Sequence, residues 1–112
     1  MDTLQATKTL SALSQETRLE AFRLLVRAGS EGLPAGEIAR ALNIPHNTLS
    51  THLSILANAE LLGSRKDGRS VIYRVDLEGT RKLLAFLMED CCQGRTEICS
   101  PLLDTILPNC CT

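Results

Sequence analysis

Apolar residues in the first part of the chain recur at helical spacing. Leu4, Leu10 and Leu13 predict a short first helix that ends near Ser14. Ser14 is a candidate N-cap for a second helix over residues 15–28. The glycines on either side of Ser30-Glu31 end this second helix. Its predicted inward face consists of Leu19, Phe22, Leu25 and Val26.

Two further helices are predicted close together in the sequence. The third begins at Pro34, and the fourth runs from Pro45 or His46 to Ala59 after a short break. The inward-facing residues of the third helix are Ala35, Ile38, Ala39 and Leu42. The fourth helix has a buried stripe at the spacing i, i+4 and i+7, which consists of Leu49, Leu53 and Leu56.

A hairpin and a last helix follow. Short strands are predicted over Leu61–Arg65 and Ser70–Val75, with a turn at Asp67-Gly68. Asp76 can cap a helix from Glu78 to about Cys92.

The order of these elements predicts one mainly helical (α+β) fold. Two helices joined by a few residues and followed by a hairpin are typical of a winged helix-turn-helix. We therefore expect about five helices with a two-stranded β-hairpin wing. Residues 1–92 would form the DNA-binding and dimerisation domain, and residues 93–112 a cysteine-containing C-terminal tail.

Composition agrees with a helical core. The chain has 112 residues and only three aromatic ones, namely Phe22, Tyr73 and Phe86. No segment approaches the roughly 18 apolar residues of a membrane span, so no membrane partner is expected. The N-terminal residues lack the basic and apolar regions of a signal peptide. A cytoplasmic location is predicted.

The fourth helix carries short hydrogen-bonding side chains between its leucines. A helix that reads a major groove needs such a face opposite its buried stripe. A solvated polar face is the plain alternative, but such faces usually favour Lys and Glu, and this helix has neither before Glu60. The predicted contacts to double-stranded DNA are His46, Asn47, Thr48, Ser50, Thr51, His52 and Ser54.

The predicted hairpin is locally basic although the formal net charge of the chain is −1. Arg65, Lys66, Arg69 and Arg74 stand there against Asp67 alone. Such a strip on an acidic body can still contact phosphates. Arg65, Lys66 and Arg69 are the predicted phosphate contacts of the wing.

Three stretches together resemble the ArsR/SmtB family of metal-sensing repressors: residues 13–19, 45–53 and 68–73. The resemblance covers about residues 4–90 and implies a homodimer that binds operator DNA without ligand. The first and last helices would join the two copies. The implied interface consists of Leu4, Leu10, Leu13, Leu83, Leu84 and Leu87. The founding arsenic sensors carry a Cys-Val-Cys type motif in the third helix, but here residues 35–40 contain no ligand.

All five cysteines lie beyond residue 90. In a reducing compartment, clustered thiols indicate a metal or redox site rather than a disulfide framework. Cys91, Cys92 and Cys99 offer three sulfurs without a histidine or carboxylate partner, which suits the three-thiolate pyramid of trivalent arsenic or antimony. This set also resembles the C-terminal site of one arsenic-responsive branch of the family. The predicted inducer is trivalent arsenic (arsenite, antimonite or methylated arsenic), and no organic cofactor is expected.

Other functions remain open at this point. Zinc or cadmium could take a fourth sulfur from Cys110 or Cys111, and vicinal thiols could instead sense redox state. A cysteine enzyme would need a positioned histidine base, and both histidines lie on the predicted DNA face, so no enzyme activity is expected. A winged helix that binds protein rather than DNA would lack a steep salt dependence.

Overall fold

The computed structural model describes residues 1–88. The predicted fold class is confirmed. The described helices are α1 (Thr3–Leu13), α2 (Glu16–Ala28), α3 (Ala35–Leu42), α4 (His46–Asn58) and α5 (Leu77–Met88), with a 3-10 turn at Gly29–Glu31. The strands are β1 (Leu33–Pro34), β2 (Leu62–Asp67) and β3 (Ser70–Val75). The predicted end of α5 and the predicted 92/93 domain boundary lie outside the described residues.

The wing belongs to a three-stranded antiparallel sheet of order β1-β3-β2 rather than to a two-stranded hairpin alone. Leu33 pairs with Tyr73, and Pro34 pairs with Ile72. Proline is tolerated here because β1 is an edge strand. A β-carbon on Gly32 would lie 2.2 Å from the Tyr73 carbonyl oxygen, so glycine lets the chain approach β3. The sequence did not predict β1, because two residues show no alternation.

The hairpin lies slightly further along the chain than predicted. Strand β2 begins at Leu62 rather than Leu61 and extends to Asp67, which pairs with Ser70. The two-residue loop is therefore Gly68-Arg69 rather than Asp67-Gly68. Gly68 has a φ of 65°. A positive φ at the first loop residue favours glycine and is a feature of type I′ and II′ hairpin turns.

The junction of α1 and α2 also differs from the prediction. Ser14 ends α1: its N–H and its hydroxyl both donate to the Ser11 carbonyl, at 3.1 and 2.8 Å. Gln15 is the N-cap of α2, since its side-chain oxygen accepts from the Arg18 N–H at 2.9 Å. The N-cap prediction for Ser14 was wrong because Gln15, rather than Ser14, has the extended backbone of an N-cap residue, with φ −113° and ψ 134°.

The core is aliphatic and lies between α2, α3, α4 and the start of β2. Its largest fully buried side chains are Leu25, Ile38, Leu49, Leu53, Leu56 and Leu61. The predicted inward face of α2 is confirmed at Phe22 and Leu25. It was wrong at Leu19 and Val26, which are 43% and 54% exposed, and Ala21 is fully buried instead. No helix within residues 1–88 has the length and apolar character needed to cross a membrane.

Two residues set the turn between α3 and α4. Asn43 adopts the left-handed conformation at φ 55°, which asparagine tolerates better than most residues. Its neighbour Ile44 donates its N–H to the Ala39 carbonyl at 3.1 Å and precedes Pro45, which favours extended backbone. Helix α4 therefore begins directly after Pro45 in a new direction.

Asp76 caps α5 as predicted, since its carboxylate accepts from the Gly79 N–H at 3.0 Å. Gly79 is buried and packs directly against Glu60 in the loop between α4 and β2. A β-carbon there would lie 1.7 Å from the Glu60 carbonyl oxygen. Glu60 has a φ of 63°, so this loop is itself held in a rarely adopted conformation.

Gly79→Ala should therefore destabilise the protein by about 2–3 kcal/mol, since the backbone must shift to admit the methyl group. Gly36→Ala is the matched control, because a β-carbon on Gly36 meets nothing within 4 Å. Alanine is the better helix former, so this control should be neutral or stabilising. Urea unfolding of both variants gives the comparison. Equal stability of the two would contradict the close approach of α5 to Glu60.

Candidate nucleic-acid interface

Helix α4 is anchored on one face and open on the other. Its three predicted core leucines have no exposed surface. Six of the seven side chains predicted to contact DNA are exposed: His46, Asn47, Thr48, Ser50, Thr51 and Ser54. Hydroxyl, amide and imidazole groups supply both donors and acceptors. This face can therefore complement the donor and acceptor pattern of base edges.

The N-terminal end of α4 is favourable for anions. Its first turn contains no acidic residue, and Pro45 provides no side-chain cap. Asn47 accepts from the Thr48 N–H at 3.0 Å. The unpaired amides of a helix N-terminus attract phosphate.

The wing presents cations beside α4. Lys66 and Arg69 are exposed on the hairpin, as is Arg65. Arg65 also donates from Nη2 to the Glu31 carbonyl at 3.2 Å. Its guanidinium is therefore tied to the 3-10 turn before β1, while Arg69 occupies the hairpin loop.

A cleft of about 320 Å³ separates α4 from the wing. His46 and Ser50 line it from α4, and Arg69, Ser70 and Tyr73 line it from the wing. The structure thus brings the two predicted DNA-contacting elements to one surface. Ser70 and Tyr73 were not among the predicted contacts. The alternation of Val71 and Tyr73 along β3 was the signal that could have placed Tyr73 on this side.

His52 differs from the other predicted DNA contacts. It is half-buried, and its Nδ1 atom lies 3.3 Å from Nη1 of Arg18. The side chain is thus directed at least partly toward α2, whereas the prediction placed it on the exposed face.

The leucines predicted at the dimer interface fall into two groups. Leu4, Leu10, Leu84 and Leu87 are 68%, 42%, 51% and 48% exposed. They give α1 and α5 apolar surface, and these two helices contact each other. Leu83 is only 4% exposed, so it belongs to the interior of the protomer rather than to an exposed face. Leu13 is half-buried against the core.

Beside these leucines α5 carries an exposed ion pair. Arg81 donates from Nη2 to Glu78 Oε1 at 2.6 Å, and this hydrogen bond lowers the pKa of the Glu78 carboxyl.

The predicted metal ligands Cys91, Cys92 and Cys99 lie outside the described residues, as do Cys110 and Cys111. Residues 1–88 contain no cluster of three or more histidine, cysteine, aspartate or glutamate side chains that could hold a metal ion.

Helix α4 thus has a buried aliphatic face and an exposed polar face. It is joined to α3 by a tight turn and is flanked by a basic hairpin. This combination is that of a winged helix-turn-helix DNA-binding protein.

Comparisons with known proteins agree with this class. Residues 13–65 match the family described as a helix-turn-helix domain. Over 88 residues the chain is 30% identical to the HTH-type transcriptional regulator YgaV of Escherichia coli (strain K12), covering 79% of this chain and 87% of YgaV. Over 76 residues it is 38% identical to a Halobacterium salinarum protein provisionally named arsenical resistance operon repressor ArsR, covering 68% of this chain and 58% of that protein.

A solved structure shows the same fold. It is the homodimeric winged helix-turn-helix DNA-binding domain of Mb0332 from Mycobacterium bovis, a possible ArsR-family regulator. The likeness has a TM-score of 0.63 at 21% identity and covers 81% of this chain and 84% of that domain.

The chain belongs to the ArsR family of winged helix-turn-helix transcriptional regulators. These relatives are regulators, which agrees with the prediction that the protein is not an enzyme.

Proposed function

We propose that this regulator is a homodimeric repressor that leaves its operator when trivalent arsenic binds Cys91, Cys92 and Cys99. One observation carries the proposal: all five cysteines follow residue 90, after a DNA-binding body that contains no thiol. An inducer site in this position can be added without altering the fold.

We propose that DNA is read by the exposed face of α4 and held by the wing. The six exposed polar side chains of α4 would face base edges and nearby phosphates, and Lys66 and Arg69 would contact phosphate. Arg65, which pairs with Ile72 in the hairpin, would contact the DNA backbone as well. The shared cleft between His46 and Arg69 supports this arrangement, because a duplex seated on α4 would lie beside the loop of the wing.

Arg69→Ala should weaken binding to selected and random duplexes alike and lower the salt slope by about one unit, because one phosphate contact is lost. Arg69 is exposed in a loop, so the fold should be unaffected. Fluorescence anisotropy across a salt series measures the slope. Arg23→Ala, which removes an exposed cation from α2, is the control. If Arg69→Ala binds both duplexes unchanged at low and high salt, the wing does not contact phosphate.

The proposed dimer rests on exposed apolar surface. Leu4, Leu10, Leu84 and Leu87 are exposed on α1 and α5, two helices that contact each other, and large exposed apolar patches commonly mark interaction sites. A second copy would cover them and would supply the second recognition helix that a two-fold operator requires. Mb0332, of the same fold, is described as homodimeric.

The choice of arsenic rests on ligand chemistry. Trivalent arsenic takes three thiolates, whereas zinc is usually bound by four ligands in structural sites. Glu89 and Asp90 precede the vicinal cysteines, and neighbouring negative charge disfavours a reactive thiolate. This lowers the case for a redox sensor. The Halobacterium relative carries an arsenical resistance name.

Release of DNA tests the proposed function. Reduced protein is bound to a duplex selected from a random library, and arsenite, antimonite, zinc, cadmium or a thiol oxidant is added separately. We expect release by arsenite and antimonite. If only zinc and cadmium release the duplex, the inducer is one of these metals rather than arsenic. If only the oxidant releases it, the protein senses redox state. If neither the ions nor the oxidant alters DNA binding, the protein has no thiol-directed inducer.

A further inference from the structure

One arginine side chain joins three helices. Arg18 is the third residue of α2, and its Nε donates to the Ala12 carbonyl oxygen at 2.6 Å. Its Nη1 lies 3.3 Å from Nδ1 of His52 in the middle of α4. Arg18 therefore contacts the end of α1 and the middle of α4 at the same time.

The chemistry of the two groups fixes the direction of the hydrogen bond between Arg18 and His52. A guanidinium is always charged and can only donate hydrogen bonds. In a hydrogen bond between the two groups, Nδ1 of His52 is therefore the acceptor. His52 is engaged through Nδ1 before any DNA arrives.

The position of the contact makes it sensitive to the placement of α4. Ala12, whose carbonyl oxygen accepts, is 4% exposed, and Leu53, which follows His52, has no exposed surface. The contact therefore borders the core. The Ala12 carbonyl is one of the last four of α1, which have no partner within the helix. Nε and Nη1 belong to one rigid plane. A displacement of α1 relative to α4 would therefore break one of the two hydrogen bonds.

We propose that Arg18 is a positioning residue for DNA binding. By holding the Ala12 oxygen and His52 Nδ1 together, it fixes the orientation of α4 about its own axis. His52 then acts on DNA binding through Arg18 and does not read a base. The exposed face of α4 depends on this orientation, because rotation of the helix would move every polar side chain relative to the groove.

The test compares four single variants, and the double variant that combines Arg18→Gln with His52→Ala, on a duplex selected by the wild-type protein. Arg18→Gln removes the charged fork, and His52→Ala removes the acceptor. His52→Asn keeps an acceptor oxygen close to the position of Nδ1. Arg23→Gln removes one exposed charge from the same helix and controls for net charge. Thermal unfolding of each variant checks that it is folded.

We expect Arg18→Gln and His52→Ala each to weaken binding to the selected duplex roughly tenfold, as for loss of a hydrogen bond to a charged group. The double variant should bind no more weakly than the single variant with the lower affinity, since Arg18→Gln and His52→Ala remove the same contact. His52→Asn should restore binding to within about twofold of wild type. Arg23→Gln should change binding less than Arg18→Gln.

Selection of new sequences separates positioning from base reading. If His52 acts through Arg18, His52→Asn should select the same sequence as the wild type. A changed base preference at one position, or additive losses in the double variant, would overturn the proposal. Because His52→Asn retains a polar side chain at a half-buried site, the test stands even if Arg18→Gln fails to fold.

Discussion

Replacing Cys91, Cys92 or Cys99 singly with serine should leave operator binding intact and abolish release by arsenite. Each change removes one sulfur of the proposed three-thiolate site without touching the described DNA-binding body. Coupling of about 1–3 kcal/mol is typical of allostery and corresponds to roughly 5- to 150-fold weaker DNA binding in the wild type. Anisotropy titrations with and without arsenite measure this factor for each variant.

We expect this coupling because of the position of the thiols in the sequence. Cys91 lies three positions after Met88, the last described residue of α5, and α5 carries part of the proposed dimer interface. Gathering three sulfurs around one ion would pull on this helix and alter the separation of the two recognition helices. Linkage is reciprocal, so operator DNA should weaken arsenic binding by the same factor.

The remaining cysteines provide the control. Cys110→Ser and Cys111→Ser should matter less than the other three changes. Methylated arsenic with two open positions needs only two thiols, so Cys99→Ser should still respond to it. Release of the Cys91→Ser, Cys92→Ser double variant by arsenite would exclude the proposed site.

Leu84→Glu or Leu87→Glu should convert the protein to a monomer and weaken operator binding by about 100-fold or more, because two linked recognition helices bind far more tightly than one. A charge buried at a subunit contact costs several kcal/mol. Both residues are about half exposed in the protomer, so the fold itself should persist. Sedimentation velocity gives the oligomeric state.

The control places the same charge elsewhere. Val26 is 54% exposed on α2, and Val26→Glu should remain dimeric. If Leu84→Glu and Leu87→Glu stay dimeric, the interface lies on another surface. If they become monomers yet bind the operator as tightly as wild type, the dimer is not needed for DNA binding.

Most of the order of helices and strands was predictable from local sequence patterns. The leucine spacing of α4, the Asn43-Ile44-Pro45 turn and the Asp76 cap each follow from local rules of periodicity or backbone conformation. The same reasoning located the polar face of α4 and the cations of the wing, because helical and strand periodicity decide which residues share a face. The clustering of all five cysteines after residue 90 is likewise read directly from the sequence.

Which partners these residues contact depends on how the helices and strands pack in three dimensions. Strand β1 exists because β3 offers it an edge, and two residues carry no pattern of their own. Leu83 lies inside the protomer, although periodicity could not distinguish it from its exposed neighbour Leu84. Arg18 and His52 are 34 positions apart, and their contact forms because packing brings α2 against α4. Local patterns specify elements, whereas long-range packing determines which polar groups pair.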